Sequence, residues 1–89
     1  MWHSVKKEGL PPEREIVMVT VVYPNGERSV YESARYIRDL KSEGYKDEFC
    51  AEHPDGIWEW LYEAGAGYWE RLDSTVIALA YCPGPYEGD

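Results

Sequence analysis

The sequence has no long apolar run and few cysteines, and these two absences exclude several classes of protein. No stretch of about 18 apolar residues occurs, so no transmembrane helix is expected. The first residues include Lys6 and Lys7, but no apolar segment follows them, which argues against a secretory signal peptide and for the cytoplasm. The cysteines, Cys50 and Cys82, are too few for a disulfide framework, and two free thiols are favoured over one bridge in a reducing compartment.

Few residue patterns in the chain carry chemistry. Cys50 and His53 are close in sequence, whereas the other soft metal ligands, His3 and Cys82, lie near opposite ends. Structural zinc sites use two close-spaced ligand pairs, so we expect no metal and no other cofactor. Cys50 and His53 are also a candidate nucleophile and base, but no third group is evident to orient them. We therefore expect no catalytic residues and no enzyme.

Positive charge is scarce in the second half of the chain. Residues 1–46 hold eight Lys and Arg against seven Asp and Glu, a net charge of +1. Residues 47–89 hold Arg71 alone against ten acids, a net charge of −9, which brings the whole chain to −8. An acidic half favours a basic partner and disfavours direct binding of nucleic acid or an anionic membrane.

Aromatic side chains alternate with acids in this acidic half, as in Trp58-Glu59-Trp60. Such a surface suits Lys and Arg, through ion pairs and cation–π contacts. The alternative is that the tryptophans are core residues and the acids point to water. The first interpretation predicts a partner-binding surface of ten residues: Asp47, Glu48, Glu52, Asp55, Trp58, Glu59, Glu63, Tyr68, Glu70 and Asp73.

Two stretches predict the central strands of a sheet. Each of the segments Glu15–Tyr23 and Thr75–Cys82 has apolar residues on both faces of the predicted strand. This is typical of neighbouring central strands that are covered on both sides. Asn25-Gly26 supplies the positive φ values of a tight hairpin turn, so a return strand should begin near Arg28.

The segment after this turn is open to two interpretations. In the first, a short strand Arg28–Tyr31 precedes a helix over residues 34–43, capped by Ser33 and ended by Gly44. In the second, the strand continues with a period of two through Tyr36. We prefer the helix because its apolar residues would share one stripe, and because Arg35 would meet Asp39 one turn later.

The remaining segments complete an expectation of one α+β domain over residues 1–89. Residues 45–56 read as a polar loop; Ile57–Glu63 alternates as a strand, with a helical turn as the alternative, and Tyr68–Leu72 would pair back onto it. Residues 1–14 read as an irregular arm with Trp2 anchored on the core, and residues 84–89 as a frayed tail. We predict a small antiparallel sheet of about four to five strands with one helix packed on it.

The two ends of the chain carry a family resemblance. An N-terminal Trp2 is followed by Leu10-Pro11-Pro12-Glu13 and the strand Ile16–Val19, and the strand Val76–Cys82 runs into Pro83 and Pro85. These features resemble the small phage and prophage proteins of domain-of-unknown-function family 551. The His-Trp-Met of that family is here replaced at about Leu79–Tyr81, and residues 37–72 do not align. The resemblance implies a phage or prophage origin and an α+β or mainly β fold, and it implies no activity.

Three functions from different classes follow. We favour a non-enzymatic acidic phage-type protein, in the cytoplasm of an infected or lysogenic bacterium, that binds and inhibits a basic, nucleic-acid-handling host protein such as a CRISPR or other defence effector. The alternative is a self-associating phage accessory or structural protein, for example a homodimer in which the basic residues of the first half meet a neighbour's acidic half. The third is a small enzyme that uses Cys50 and His53.

Overall fold

Antiparallel strands dominate the computed structural model, which describes residues 1–61, 68–72 and 74–81. The described residues form one six-stranded sheet in the order β1-β6-β2-β3-β4-β5. Two short α-helices and one 3-10 turn accompany it. The elements are β1 (His3–Ser4), α1 (Val5–Glu8), β2 (Val17–Val22), β3 (Arg28–Ile37), the 3-10 turn (Leu40–Glu43), α2 (Asp47–Glu52), β4 (Ile57–Leu61), β5 (Trp69–Arg71) and β6 (Thr75–Tyr81). The predicted antiparallel sheet is confirmed, but the expectation of four to five strands and one helix is corrected to six strands and two short helices.

Strands β2 and β6 pair as the sequence predicts. Their antiparallel register places Val19 opposite Leu79 and Thr20 opposite Ala78. Along β2, fully buried valines alternate with half-buried residues, so one face of the strand lies in the core and the other is only partly covered. The prediction that both faces of β2 are covered is therefore right for one face only. Cys82, at the predicted end of β6, lies outside the described residues.

The helix predicted over residues 34–43 is wrong, and the continued strand is right. Strand β3 runs ten residues, and its last part pairs with β4, with Ala34 opposite Trp60 and Ile37 opposite Ile57. These cross-strand contacts outweigh a weak helical stripe, because propensity is a small term beside packing. The predicted cap Ser33 lies inside the strand. One 3-10 turn follows, capped by Asp39 and ended by Gly44 in the left-handed conformation.

Two further predicted strand pairings, β2 with β3 and β4 with β5, are confirmed. Between β2 and β3, the Tyr23 amide donates to the Glu27 carbonyl, and Gly26 has a φ of 89°. The positive φ also predicted for Asn25 is wrong, because Arg14 is the one residue other than glycine with a positive φ in the described structure. Strands β4 and β5 pair antiparallel, as expected for the segments that begin at Ile57 and Tyr68.

Two apolar clusters lie on opposite faces of the sheet. The larger one holds Val17, Val19, Val21, Ala34, Leu72, Val76 and Leu79, with Val5, Tyr23, Tyr31, Trp58 and Trp60 packed against it. The smaller one joins Ile37 and Ile57 to Leu40, and α2 adds Phe49 and Cys50. Helix α2 therefore covers the end of the sheet formed by β3 and β4.

The N-terminal arm is more ordered than the sequence predicts. Residues His3 and Ser4 form β1 opposite Leu79 and Ala78, and the Ser4 hydroxyl accepts from the Lys7 amide to cap α1. Trp2 is 45% exposed, so the expected anchor on the core is wrong. The polar loop expected over residues 45–56 contains α2. The predicted tail, residues 84–89, lies outside the described residues. No helix in the described ranges is long and apolar enough to cross a membrane.

Candidate partner-binding surface

Helix α2 carries three of the predicted surface acids on its exposed side. Asp47 and Glu48 occupy its first turn, where the helix dipole favours negative charge, and Glu52 is its last residue. The same helix turns Phe49 and Cys50 toward the smaller apolar cluster. Burial of these two residues sets the orientation of the helix, and the acids consequently face solvent.

The exposed acids of this region are largely unpaired. Asp47 lies 3.3 Å from the Lys41 ammonium, but the two side chains are 87% and 70% exposed, and such a pair contributes little. Within the described part of the chain, Glu48, Glu52, Asp55 and Glu70 form no ion pair. Their charge therefore remains available to a partner. We call Asp47, Glu48, Glu52 and Asp55 the α2 acidic surface.

Glu59 differs from these acids because it is 5% exposed. Its Oε2 accepts from Arg35, with Nε at 3.0 Å and Nη2 at 2.9 Å, and its Oε1 accepts from the Tyr45 hydroxyl at 2.6 Å. Both oxygens are thus satisfied inside the protein. Glu59 holds β3, β4 and the loop before α2 together, so we leave it out of the partner-binding surface.

The charges around Glu59 extend to the N-terminal arm. Glu43 lies 3.7 Å from the Nη2 of Arg35 and 2.8 Å from the Nε of Arg14. The Nη2 of Arg14 donates to the Ser42 hydroxyl. Arg14 has a φ of 67°, a left-handed conformation that costs about 1–2 kcal/mol in a residue with a side chain. We call Arg14, Arg35, Glu43, Tyr45 and Glu59 the internal charge cluster.

The environment of Tyr45 keeps its hydroxyl protonated as a donor. Burial raises the pKa of Tyr45 to about 12, and the hydrogen bond to Glu59 and the negative charge of Glu59 act in the same direction. The hydroxyl consequently donates to Glu59 over the whole neutral range.

The aromatic members of the predicted surface are divided between core and solvent. Trp58 is half-buried and lies edge-on to Tyr36, with 5.1 Å between ring centroids, and Trp60 is half-buried against Tyr31. Both tryptophans pack on the larger apolar cluster, which is the core role left open by the sequence. Tyr68 is exposed, as is Glu70, which stands opposite Trp60 on the edge strand. Glu63 and Asp73 lie outside the described residues.

Sequence reasoning missed the internal charge cluster. It paired Arg35 with Asp39 in a helix, whereas the structure places Arg35 opposite Glu59 on a neighbouring strand. The period-two alternation of both segments was the signal that could have found this pair, because two long alternating strands bring opposite charges to one face.

Cys50 and His53 line a small cleft of about 220 Å³ together with Arg38 and Lys41. The Cys50 thiol lies 4.0 Å from the Tyr45 carbonyl, the His53 ring lies against Phe49, and no hydrogen bond joins Cys50 to His53 in the described structure. Among the described residues, no three His, Cys, Asp or Glu side chains are grouped closely enough to hold a metal ion. Cys82 lies outside the described residues and is not included in this statement.

Comparison with known proteins found no relative of this chain. No family model matches it, and neither the curated proteins nor the solved structures contain a match. The resemblance of the chain ends to family 551 stays a prediction.

Proposed function

We propose that this is a non-enzymatic, phage-type binding protein whose α2 acidic surface holds and inhibits a basic, nucleic-acid-handling protein of a bacterial host. The observation that carries the proposal is the row of exposed carboxylates on α2 and the turn after it. Glu48, Glu52 and Asp55 form no ion pair in the described part of the chain, and Asp47 forms only an exposed pair with Lys41. The phage setting and the host cytoplasm come from the resemblance of the chain ends and the composition alone.

The electrostatics of the chain support a basic partner. The second half of the sequence carries a net charge of −9, and the one Arg in it, Arg71, lies over the Phe49 ring at 5.3 Å. A surface of unpaired carboxylates attracts a positively charged groove from a distance and raises the association rate. A groove that binds nucleic-acid phosphates is positively charged, and an acidic protein that occupies it competes with the nucleic acid.

Charge reversal tests the proposal. The variant carrying Asp47→Lys, Glu48→Lys and Glu52→Lys should lose the capture of a basic host protein that the wild-type chain binds from lysate and that moderate salt releases. The captured protein should also be displaced by nucleic acid. Retention of the same protein by the reversed variant contradicts the proposal.

A matched control uses three other exposed acids that form no ion pair in the described structure. Reversal of Glu15, Glu27 and Glu32 to Lys changes the net charge by the same amount at a different place. This control should keep most of the binding. Equal loss in both variants would show that total charge, not the α2 acidic surface, controls the interaction.

A second candidate is self-association, which one observation favours. Val30 is 51% exposed and lies opposite Thr20, which in turn lies opposite Ala78, so a row of small uncharged side chains crosses three strands on the face away from the larger cluster. Light scattering at low and high salt separates the candidates. A dimer that persists at high salt supports association through this row, and a monomer at both salts removes it.

A further inference from the structure

Residues 10–15 link helix α1 to strand β2 and bury little apolar surface. Of these six residues only Pro11 is buried, Glu13 is half-buried, and the other four are exposed. Leu10 lines a cleft of about 630 Å³ together with Tyr36 and Trp58 of the sheet. We call residues 10–15 the strap, because they run beside the end of β3 without being part of the sheet.

Two adjacent side chains of the strap attach it to the turn that follows β3. The Glu13 carboxylate accepts from the Arg38 amide at 2.6 Å, and the same oxygen accepts from the Asp39 amide. The Nε of Arg14 lies 2.8 Å from the Glu43 carboxylate. The strap is therefore held by charged groups more than by apolar packing.

The backbone of the strap is strained at the place where it is attached. Arg14 has a φ of 67°, and in this conformation its amide donates to the Tyr36 carbonyl at 3.0 Å. Detachment of the strap frees Arg14 to leave the left-handed region, so the strain lowers the cost of detachment. A segment with one buried residue, polar attachments and local strain belongs to the part of a fold that opens most readily.

The attachment depends on the ionisation of Glu13. The hydrogen bond from the Asp39 amide holds the pKa of Glu13 below its usual range; desolvation opposes this effect, and the Arg38 amide and the charges of Arg14 and Arg38 reinforce it. Because the pKa is lowered in the folded chain, the contribution of Glu13 is complete at neutral pH and is lost as the pH falls through that pKa. Two other carboxylates lie in this region, Asp39 as the cap of the 3-10 turn and Glu43 as the partner of Arg14.

We propose that the strap is an acid-sensitive switch, attached to the end of β3 while Glu13 is ionised and detached, with the sheet still folded, when Glu13 is protonated. A neutral carboxyl group is a weaker acceptor for the two amides than a carboxylate. Detachment moves Leu10 and Pro11 away from the sheet and widens the cleft beside Tyr36, which is 4% exposed in the attached form. No member of the α2 acidic surface holds the strap, so the switch does not depend on the proposed function.

NMR spectra of the full chain recorded from neutral pH down to about pH 3, below the ordinary pKa of a glutamate, test the switch. The amide signals of the strap should move toward the positions of an unstructured chain, while those of Val17–Val22 keep their native positions. The Arg38 and Asp39 amides lose their acceptor and should move with the same midpoint. Strap signals that stay in place while Glu13 titrates, or that move only together with those of β2, overturn the proposal.

Two variants test the switch at neutral pH. Glu13→Gln resembles the protonated form, and hydrogen exchange of the Arg14 amide should become about tenfold faster than in wild type. Glu15→Gln makes the same change of charge in the strap at an exposed side chain that forms no hydrogen bond or ion pair in the described structure, and it should leave this rate unchanged. The Val19 amide in β2 should exchange at the wild-type rate in both variants. Equal exchange of the Arg14 amide in Glu13→Gln and wild type overturns the proposal.

Discussion

Helix α2 and the paired strands β3 and β4 both carry carboxylates, but the two regions differ in how much of this negative charge is paired within the protein. Glu59 is enclosed and bonded to Arg35 and Tyr45, whereas Glu48 and Glu52 are exposed and unpaired in the described structure. The comparison teaches that the acidic composition of the second half has two physical roles. Burial and pairing, rather than position in the sequence, decide which acid has which role.

The largest difference between the regions should appear when one carboxylate is removed from each. Glu59→Ala leaves the Arg35 guanidinium without its main partner in a mostly enclosed site, and it should cost about 3–5 kcal/mol of unfolding free energy. Glu48→Ala should change that free energy by less than about 0.5 kcal/mol. Urea unfolding followed by circular dichroism measures both. Similar costs at the two positions would show that the distinction between the regions is wrong.

The turn between the two regions should be the next most sensitive place. Gly56 has a φ of 95°, and a Cβ there would stand 2.3 Å from the Ile37 carbonyl oxygen. Gly56→Ala should therefore cost more than the ~1–2 kcal/mol expected for a left-handed alanine alone. Gly26→Ala is the matched control, because Gly26 has a φ of 89° and open space around it. Equal unfolding free energies for the two variants would contradict the close approach of the turn to β3.

The parts of the fold that sequence reasoning predicted depend on local patterns. The pairing of β2 with β6 followed from two apolar runs, and the hairpin at Asn25-Gly26 followed from turn chemistry. Strand β3 was mistaken because the residues from Ala34 to Leu40 fit both a helical stripe and a period of two. Pairing with β4 decided between the two, and one segment alone does not show its neighbour.

The candidate site was harder to predict than the fold. Alternation along β4 correctly separated Trp58 and Trp60 from Glu59, but it did not show that both faces of this strand are occupied. Glu59 was assigned to the partner-binding surface because it alternates with Trp58 and Trp60 in the acidic half of the chain. Its enclosure results from Tyr45 and Arg35, which come from distant positions in the chain.

Alkaline pH should destabilise the protein, in part through Tyr45 of the internal charge cluster. The pKa of Tyr45 is about 12 in the folded chain and about 10 when unfolded, so its contribution to stability is complete below pH 10 and is lost as the pH rises from 10 through 12. The urea midpoint should fall over this window. Tyr45→Phe should flatten the fall in part, because the pKa of Tyr31 is also raised by its hydrogen bond with Tyr23, and that of Tyr36 by burial. An unchanged pH dependence in Tyr45→Phe would contradict the role given to Tyr45.

The smallest effect is expected for the exposed ion pair beside α2. Lys41→Ala removes the partner of Asp47, and it should change the unfolding free energy by less than about 0.5 kcal/mol because both side chains are exposed. The difference in unfolding free energy between Lys41→Ala and wild type should also change little when salt is added. A loss of more than 1 kcal/mol on this substitution, taken as roughly the upper limit for exposed pairs, would show that the α2 acidic surface has a structural role.

The central claim is that the α2 acidic surface serves a partner and not the fold. The most direct measurement is the affinity of the purified, captured host protein for the variant with Asp47, Glu48 and Glu52 reversed to Lys, at low and moderate salt. We predict that this variant unfolds at nearly the wild-type urea concentration, binds far more weakly than wild type at low salt, and loses most of the salt dependence. Wild-type affinity and wild-type salt dependence in the reversed variant would contradict the claim.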